Sequence, residues 1–552
     1  MEDIVLSEIR YRTGEHMTEN KRDILNNKWY LYLTEFFTGM AVMAVELGAS
    51  RLLAPFFSSS QIVWTIIIGT IMIAMALGNV IGGRWADKSK DPSGLFKRIL
   101  IAAVWIGLIP ALGKYVILAI TGLMIVTIDT NLLIWASFFA CMIIFVFPLF
   151  LLGTVTPSLI KFGVKDLDES GRVAGKLGAC NTIGSIIGTF LPTFVTIPAM
   201  GTAITFLIFS AILLILAIIY FVVNGGGKKA VAIASIIFIL GAVFGHRSNF
   251  AFWNHDLTYE GESVYNYLQV YDTPDKTVLS TNVLFGVQSV YMKNDSLTGM
   301  YYDYALASTV LAGKENPKIL VLGMGTGTFA SQCKYYFPGA DITGVEIDDK
   351  ITDLARTYFN LDPSIPVVTY DGRAYLNAVN DKYDIIMVDA YQDITIPFQM
   401  SSKEFFTLVR EHLTQDGVMV VNMNMHGSSG EDDITSYLTD TIASVFDDVI
   451  VADVDGSTNR ELFASNGASQ SLNERMDNNL VSLPMDPELR TMLEYVRSDM
   501  TTVDAGSRIL TDDKAPVELI GMKTIDTLIQ DEVAYYKQIY KEEGLKGLLE
   551  EM

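Results

Sequence analysis

Cysteine and histidine are scarce in this chain, at 3 and 5 residues out of 552. Cys141, Cys180 and Cys333 show no metal-ligand spacing and no evident partner, which argues against a disulfide-built secreted framework and against a metal site. Two of them fall in apolar runs, so small buried hydrophobes are the expectation. Charge is also in short supply. Only 18% of residues are charged, 50% are hydrophobic and the mean hydropathy is +0.33, too greasy for a disordered chain or an ordinary water-soluble enzyme. Basic residues are the minority among those charges. A net charge of −22 argues against a DNA- or RNA-binding protein, so no nucleic-acid partner is expected. The length calls for at least two domains.

What is present divides after His255. Residues 1–255 carry 19 Lys and Arg against 14 Asp and Glu, a net of +5, whereas residues 256–552 carry 21 against 48, a net of −27. Apolar runs long enough to cross a bilayer lie near 31–56, 62–83, 132–153, 178–199 and 202–223, with a shorter one at 230–245. The stretch 99–126, broken by Pro110, Gly113 and Lys114, reads either as one crossing with an interfacial piece or as two short crossings. The expectation is a polar segment over 1–28 without a cleavable signal peptide, then an α-helical transmembrane bundle of seven to eight spans over 29–247. That makes a multi-pass protein of the cell membrane with the lipid bilayer as a partner. Arg84, Lys88, Lys90, Lys97 and Arg98 crowd one loop, and Lys21, Arg22 and Lys28 precede the first run, marking the cytoplasmic side. Seven crossings would leave the acidic half outside; a nucleotide-type cofactor favours an even count and a cytoplasmic C-terminal domain. Gly78/Gly82 and Gly184/Gly188 have the GxxxG spacing of close helix packing. Glu46 and Arg51 read either as an internal ion pair or as a substrate contact.

Beyond residue 255 the periodicity changes. Tyr267–Val270 and Val283–Tyr291 alternate like strands, giving a small β-rich subdomain over 256–310. Over 311–552 strand-like and helix-like segments alternate: Lys318–Leu322, a glycine loop, a helix over 329–336, Asp341–Glu346, a helix over 349–358, Val367–Tyr370, Asp384–Val388 and Gly417–Met423. This predicts an α/β Rossmann-like domain of the S-adenosylmethionine-methyltransferase type, with its ligand at the carboxyl ends of the strands. Gly323, Gly325, Thr326 and Gly327 follow the first strand and open a helix, where glycine lets the backbone approach a ligand. Glu346 ends the next strand, placed to bind ribose hydroxyls. Asp371-Gly372 follows the third, placed to accept from an adenine amino group, which favours S-adenosylmethionine chemistry over NAD. Asp389 ends the Tyr383–Val388 strand, where a carboxylate can orient and deprotonate an amine.

The soluble half resembles spermidine synthase, the polyamine aminopropyltransferase family, and the fused apolar half is similar to that family's membrane-bound branch. The motifs are Glu46-Leu47-Gly48-Ala49-Ser50-Arg51-Leu52-Leu53-Ala54-Pro55, Gly171-Arg172-Val173-Ala174-Gly175, Ser263-Val264-Tyr265-Asn266, Leu284-Phe285-Gly286, Tyr301-Tyr302-Asp303, the glycine loop, Asp371-Gly372, YDIIMVD and Thr511-Asp512-Asp513-Lys514-Ala515-Pro516. The resemblance implies aminopropyl transfer from decarboxylated S-adenosylmethionine to a polyamine or other small amine such as putrescine, without a metal. Glu346 would hold the ribose and Asp371 the adenine; Asp389 falls on the catalytic aspartate, and Tyr301, Tyr302 and Asp303 on the motif beside the amine. The resemblance also implies a homodimer. Three departures stand out. Thr326 replaces the Asp that binds the aminopropyl ammonium, Leu297-Thr298 replace an Asp-Glu, and Gln392 replaces a second acid, with Asp393 adjacent. These departures keep two other readings open: methyl transfer from S-adenosylmethionine, or its cleavage to methylthioadenosine, and a non-enzymatic polyamine transporter or sensor.

Overall fold

The computed structural model describes residues 27–128, 130–164, 166–247, 250–252, 257–283, 287–390, 396–426, 433–467 and 470–551. The chain forms two compact units: one from Met1–Leu52, Thr65–Ile120 and Ala136–Ser248, the other from Leu53–Trp64, Thr121–Trp135 and Asn249–Met552.

Long apolar runs with few charges become helices. Six helices among the described residues are long and apolar enough to cross a membrane: Lys28–Phe57, Gln61–Lys88, Ser93–Ile125, Leu132–Gly163, Ser170–Asn224 and Lys228–Gly245. The ambiguous stretch 99–126 lies in one continuous helix, Ser93–Thr127, with Pro110 inside it. The runs 178–199 and 202–223 share the 55-residue stretch Ser170–Asn224, which Gly201 interrupts with φ 83° and ψ 167°. Six such helices are therefore counted where seven to eight spans were expected: 99–126 is one helix, and the runs 178–199 and 202–223 meet at the Gly201 kink without a loop.

Both GxxxG pairs mark backbone-to-backbone packing. A Cβ on Gly184 would lie 2.0 Å from the Phe36 carbonyl oxygen and one on Gly188 2.2 Å from that of Met40; a Cβ on Gly78 would lie 2.4 Å from the Phe150 oxygen. The carboxylate sealed within this unit is Glu35, which is 0% exposed. Its Oε1 accepts from Thr156 Oγ1 at 2.6 Å and from Asn181 Nδ2 at 2.9 Å. Glu46, singled out from the sequence, is half-buried.

The second unit carries two sheets. Strands β1 (Leu257–Glu262), β2 (Tyr267–Asp272), β3 (Lys276–Ser280) and β4 (Ser289–Met292) form an antiparallel sheet in that order. Leu268, Val270 and Leu279 of this sheet pack on Ile351, Leu354 and Phe359, in and just after the helix Asp349–Tyr358. The larger sheet contains β5 (Lys318–Leu322), β6 (Asp341–Glu346), β7 (Val367–Thr369), β8 (Tyr383–Val388), β9 (Leu413–Met423), β10 (Asp448–Asp453), β11 (Arg460–Ser465) and β12 (Thr501–Thr502), in the order β12-β10-β11-β9-β8-β5-β6-β7. From β7 to β9 neighbours are parallel. Strand β11 is antiparallel to both β9 and β10.

Strands covered on both faces read as unbroken apolar runs, and β5 (KILVL) is such a strand. Ile319, Leu320, Val321 and Leu322 are each at most 2% exposed, and each contributes about 1.5–3 kcal/mol by burial. The chain order reverses beside β5, which pairs with β6 on one side and β8 on the other. A doubly wound sheet opens its ligand crevice at that point.

Candidate active site

The turn leaving β5 is built from glycines for steric reasons. Gly323, Gly325 and Gly327 have φ of 85°, 54° and 84°, a region that costs glycine nothing and other residues strain. A Cβ on Gly323 would also lie 2.5 Å from the Asp389 carbonyl oxygen. The turn is tied to β6, because the Gly323 and Met324 amides donate to the Val345 carbonyl at 2.9 and 3.0 Å.

Glu346, at the tip of β6, faces this turn. Its Oε2 accepts from the Gly325 amide at 2.9 Å and its Oε1 from the Asp348 amide at 3.1 Å. Burial pushes its carboxyl up to about 7, partly offset by those hydrogen bonds. A buried carboxylate that keeps its acceptor capacity in a crevice is chemically suited to a vicinal diol. Asp348 anchors the small sheet, taking Ser263 Oγ at 2.5 Å and Asn266 Nδ2 at 2.8 Å. The Ser263–Asn266 motif thus has a structural use that its sequence did not disclose.

Asp389 follows β8 directly. Its Oδ2 accepts from the Tyr301 hydroxyl at 2.9 Å and its Oδ1 from Asn422 Nδ2 at 3.0 Å. Asn422 Oδ1 in turn accepts from Asn459 Nδ2 at 2.8 Å. Burial pushes the Asp389 carboxyl up to about 7, against the pull of the Asn422 and Tyr301 bonds and with the Glu346 charge adding to the rise. Burial and the Asp389 charge hold the Tyr301 phenol well above its ordinary range, so it acts as a donor. A carboxyl poised near neutrality and aimed by two donors suits general-base work.

Gly323, Gly325, Glu346, Asp371, Gly372 and Asp389 line one cavity of about 430 Å³, within the usual size of a small-molecule site. Asp371 has a second task as well, and the remaining sequence-predicted residues are placed differently. Asp371 lines the cavity but also caps the helix Gly372–Ala378, its Oδ1 accepting from the Ala374 amide at 2.8 Å. Tyr302 stacks on Tyr301, with ring centroids 4.0 Å apart, and donates to the Gln288 carbonyl at 2.8 Å. Asp303 does not line the cavity. It clasps its own loop, accepting from Thr298 N at 2.9 Å, Gly299 N at 2.7 Å and Gln332 Nε2 at 2.6 Å. Thr326 lines a separate cleft of about 680 Å³, where its buried Oγ1 has no hydrogen-bond partner among the described residues. Gln392, Asp393 and the Leu284–Gly286 motif lie outside the described residues.

Sequence reasoning missed Asn422 and Asn459. Asn422 is the next-to-last residue of β9, interrupting its apolar run, and that polar break was the available signal. The Thr511–Pro516 motif is also structural. Arg373 Nη1 and Nη2 bind Asp512 Oδ1 and Oδ2 at 2.7 and 2.6 Å, and Ser402 Oγ donates to Asp512 at 2.5 Å.

Residues 300–457 match the spermine/spermidine synthase domain, a range that contains Tyr301, Glu346, Asp389 and Asn422 and ends just before β11. A probable polyamine aminopropyl transferase of Bifidobacterium longum is 54% identical over 346 residues, covering 60% of this chain and 77% of that relative. A polyamine aminopropyltransferase of Vibrio vulnificus is 29% identical over 185 residues, covering 32% of this chain and 62% of the relative. The spermidine synthase of Thermotoga maritima superposes with a TM-score of 0.33 at 17% identity, covering 44% of this chain and 88% of that one. With 54% identity over an alignment that spans 77% of the Bifidobacterium protein, this chain belongs to the spermidine synthase family of polyamine aminopropyltransferases.

Proposed function

We propose that this chain is a membrane-anchored aminopropyltransferase that moves the aminopropyl group of decarboxylated S-adenosylmethionine onto an amine such as putrescine. The observation that carries this reading is Asp389, held by Tyr301 and Asn422 in the cavity that Glu346 and the glycine turn also line. The turn admits a nucleoside without a Cβ in its way, Glu346 accepts the ribose hydroxyls, and Asp371 takes the adenine amino group with the oxygen its helix does not use.

The reaction is a displacement at the carbon attached to the sulfonium. The amine lone pair forms the new C–N bond, the C–S bond breaks, and its electron pair stays on sulfur as the thioether methylthioadenosine. Asp389 takes the proton lost by the attacking nitrogen. Positioning and delivery of a neutral amine supply the acceleration.

A second reading, methyl transfer from ordinary S-adenosylmethionine, draws support from Thr326, a neutral residue outside the cavity where the resemblance calls for an acid. Incubation of the purified protein with each co-substrate and putrescine separates the two. Spermidine and methylthioadenosine appearing together support aminopropyl transfer; S-adenosylhomocysteine in their place overturns it.

The six apolar helices support the anchoring, and the nucleoside co-substrate, made inside cells, supports a cytoplasmic α/β domain. Val481 is 84% exposed, so a Val481→Cys variant reports sidedness. A membrane-impermeant maleimide is expected to label it in lysed cells; equal labelling of intact cells overturns the cytoplasmic placement.

A further inference from the structure

The cavity that Asp389 lines is completed by residues far away in sequence. Ser59 and Gln61, from the short segment between the helices Lys28–Phe57 and Gln61–Lys88, line it, and so does Glu518, the second residue of the helix Val517–Glu551. Residues 53–64 belong to the same compact unit as the two sheets, so the whole lining comes from that unit. None of these three residues takes part in the chemistry described above.

The segment is fastened on both sides. Before it, the Pro55 carbonyl accepts from the Val283 amide at 2.9 Å, and the Phe56 ring packs edge-on against Phe250, with centroids 6.0 Å apart. Phe56 and Phe57 are both fully buried. Ser58 then turns the corner with φ of 64°, a conformation that serine holds only where its surroundings impose it. Ser60 caps the next helix, its Oγ accepting from the Val63 amide at 3.3 Å. That leaves the Gln61 amide, at the first helical position, as a donor the helix cannot satisfy internally. Glu518 Oε2 accepts from it at 2.6 Å, and a carboxylate is favoured at a helix N-terminus. Glu518 is placed in turn by the Thr511–Pro516 motif. Thr511 and Lys514 exchange backbone hydrogen bonds at 3.1 and 2.9 Å, closing the turn before the helix, and Asp512 is clamped by Arg373, the neighbour of cavity residue Gly372.

We propose that the segment Ser58–Gln61 is a wall of the co-substrate site and that Glu518 is the positioning residue that holds it in place. Glu518 acts through the Gln61 amide and makes no contact with the reacting atoms. The proposal rests on the aminopropyl-transfer reading only for what occupies the cavity. Breaking the Gln61–Glu518 bond frees the wall and loosens the fit of the co-substrate, while the bonds of Asp389 to Tyr301 and Asn422 stay as they are.

Two substitutions break the bond from opposite ends. Glu518→Ala removes the acceptor. Gln61→Pro removes the donor and spares the helix, because proline suits the first helical position. In the full-length protein in detergent, each should raise KM for decarboxylated S-adenosylmethionine about 3- to 10-fold, up to the scale of one charged hydrogen bond. The fall in kcat should be much smaller, and the pH at which kcat/KM rises should not shift. The double variant should be no worse than either single one. Glu518→Gln keeps an acceptor at the same reach and should restore KM to within about twofold of wild type. Glu518→Gln as damaging as Glu518→Ala would mean that the charge meets the substrate directly, and additive losses would mean that the two residues act apart. Either result overturns the proposal, as does an unchanged KM in both single variants.

Calorimetric titration with methylthioadenosine reads the wall without turnover. Its affinity should fall by the same factor in Glu518→Ala and Gln61→Pro; equal affinity in all variants, or no binding by the wild type, overturns the proposal. Weakened binding in a protein that turns over neither co-substrate overturns the transfer reading and leaves the wall in place, whereas turnover indifferent to both substitutions does the reverse. Ser59 is exposed, so Ser59→Cys in a Cys180→Ala background gives a direct check. Methylthioadenosine should slow its labelling by a maleimide and leave the labelling of Val481→Cys unchanged. Labelling of Ser59→Cys that methylthioadenosine does not slow overturns the proposal.

Discussion

The Tyr301 hydroxyl lies 2.9 Å from Asp389 Oδ2, and Asn422 Nδ2 lies 3.0 Å from Oδ1 of the same carboxylate. One donor comes from a helix that precedes the sheet and the other from a strand that follows Asp389, so the carboxylate is fixed from both directions in sequence. Removing the base and removing one of its supports should have different signatures.

Asp389→Asn should lower kcat by about 100- to 10,000-fold, the range for a lost general base. Affinity for decarboxylated S-adenosylmethionine should change less than about threefold, since the proposed function seats its nucleoside half on the glycine turn and Glu346. Full activity in this variant would sink the assignment of Asp389.

The pH profile follows from the carboxyl raised to about 7. The base acts only when ionised, so kcat/KM should rise with pH through about 7. Tyr301→Phe deletes a donor that favours the charged form, so the rise should shift to higher pH as kcat falls. A profile unchanged in Tyr301→Phe would mean that the Tyr301 hydroxyl does not tune the base.

Stability should run the other way. Glu346 and Asp389 both titrate near 7 in the folded chain, above their ordinary values. Their stabilising contribution is full below those ordinary values and is lost as pH rises through about 7. Without ligand, Tm should fall between pH 5 and pH 8, and Glu346→Gln should flatten part of that slope. Thermal scans across this window check the sign.

Gly323→Ala tests the turn. The position has φ of 85° and brings a Cβ to 2.5 Å from the Asp389 carbonyl oxygen, so the variant must displace the strand tip that carries Asp389 or strain the loop. Co-substrate affinity should fall at least about 10-fold, with a stability loss of about 1–3 kcal/mol. Isothermal titration and chemical denaturation read the two effects.

The Arg373–Asp512 pair is bidentate but partly exposed, with side chains 21% and 38% accessible. Solvent screening holds its coupling energy to about 1 kcal/mol. A double-mutant cycle of Arg373→Ala and Asp512→Ala, followed by urea denaturation, measures it.

The parallel core was legible because its signals are local. The KILVL run, the glycines after it and the carboxylates at strand ends each fall within a few residues of their neighbours. Asp371 was legible as a cavity residue, but its capping of Gly372–Ala378 was overlooked, although Asp before a helix start is a familiar N-cap. Asp303 was misjudged because the donors it takes from Thr298, Gly299 and Gln332 depend on a loop shape that composition does not encode. Glu461, buried on β11, could not be read at all. Its segment, RELFAS, shows no polar–apolar alternation, and its neighbour Asn422 is reached only through an antiparallel pairing with a strand 39 positions earlier. In the apolar half, hydropathy located the helices but did not distinguish Glu35, sealed by Thr156 and Asn181, from the half-buried Glu46.

The antiparallel insertion of β11 between β9 and β10 also sets a schedule for the newborn chain. By Met423 the strands that carry the glycine turn, Glu346 and Asp389 have all been synthesised. Strand β9 then waits with an open edge until the β10–β11 hairpin follows and inserts its second strand there. During that interval the glycine turn, Glu346 and Asp389 have been made, while Asn422 lacks Asn459 and the cavity lacks Glu518. A pause in translation between residues 424 and 458 would therefore hold a nascent chain in which Asn422 and Asp389 have been made and Asn459, the next link of their hydrogen-bond chain, has not.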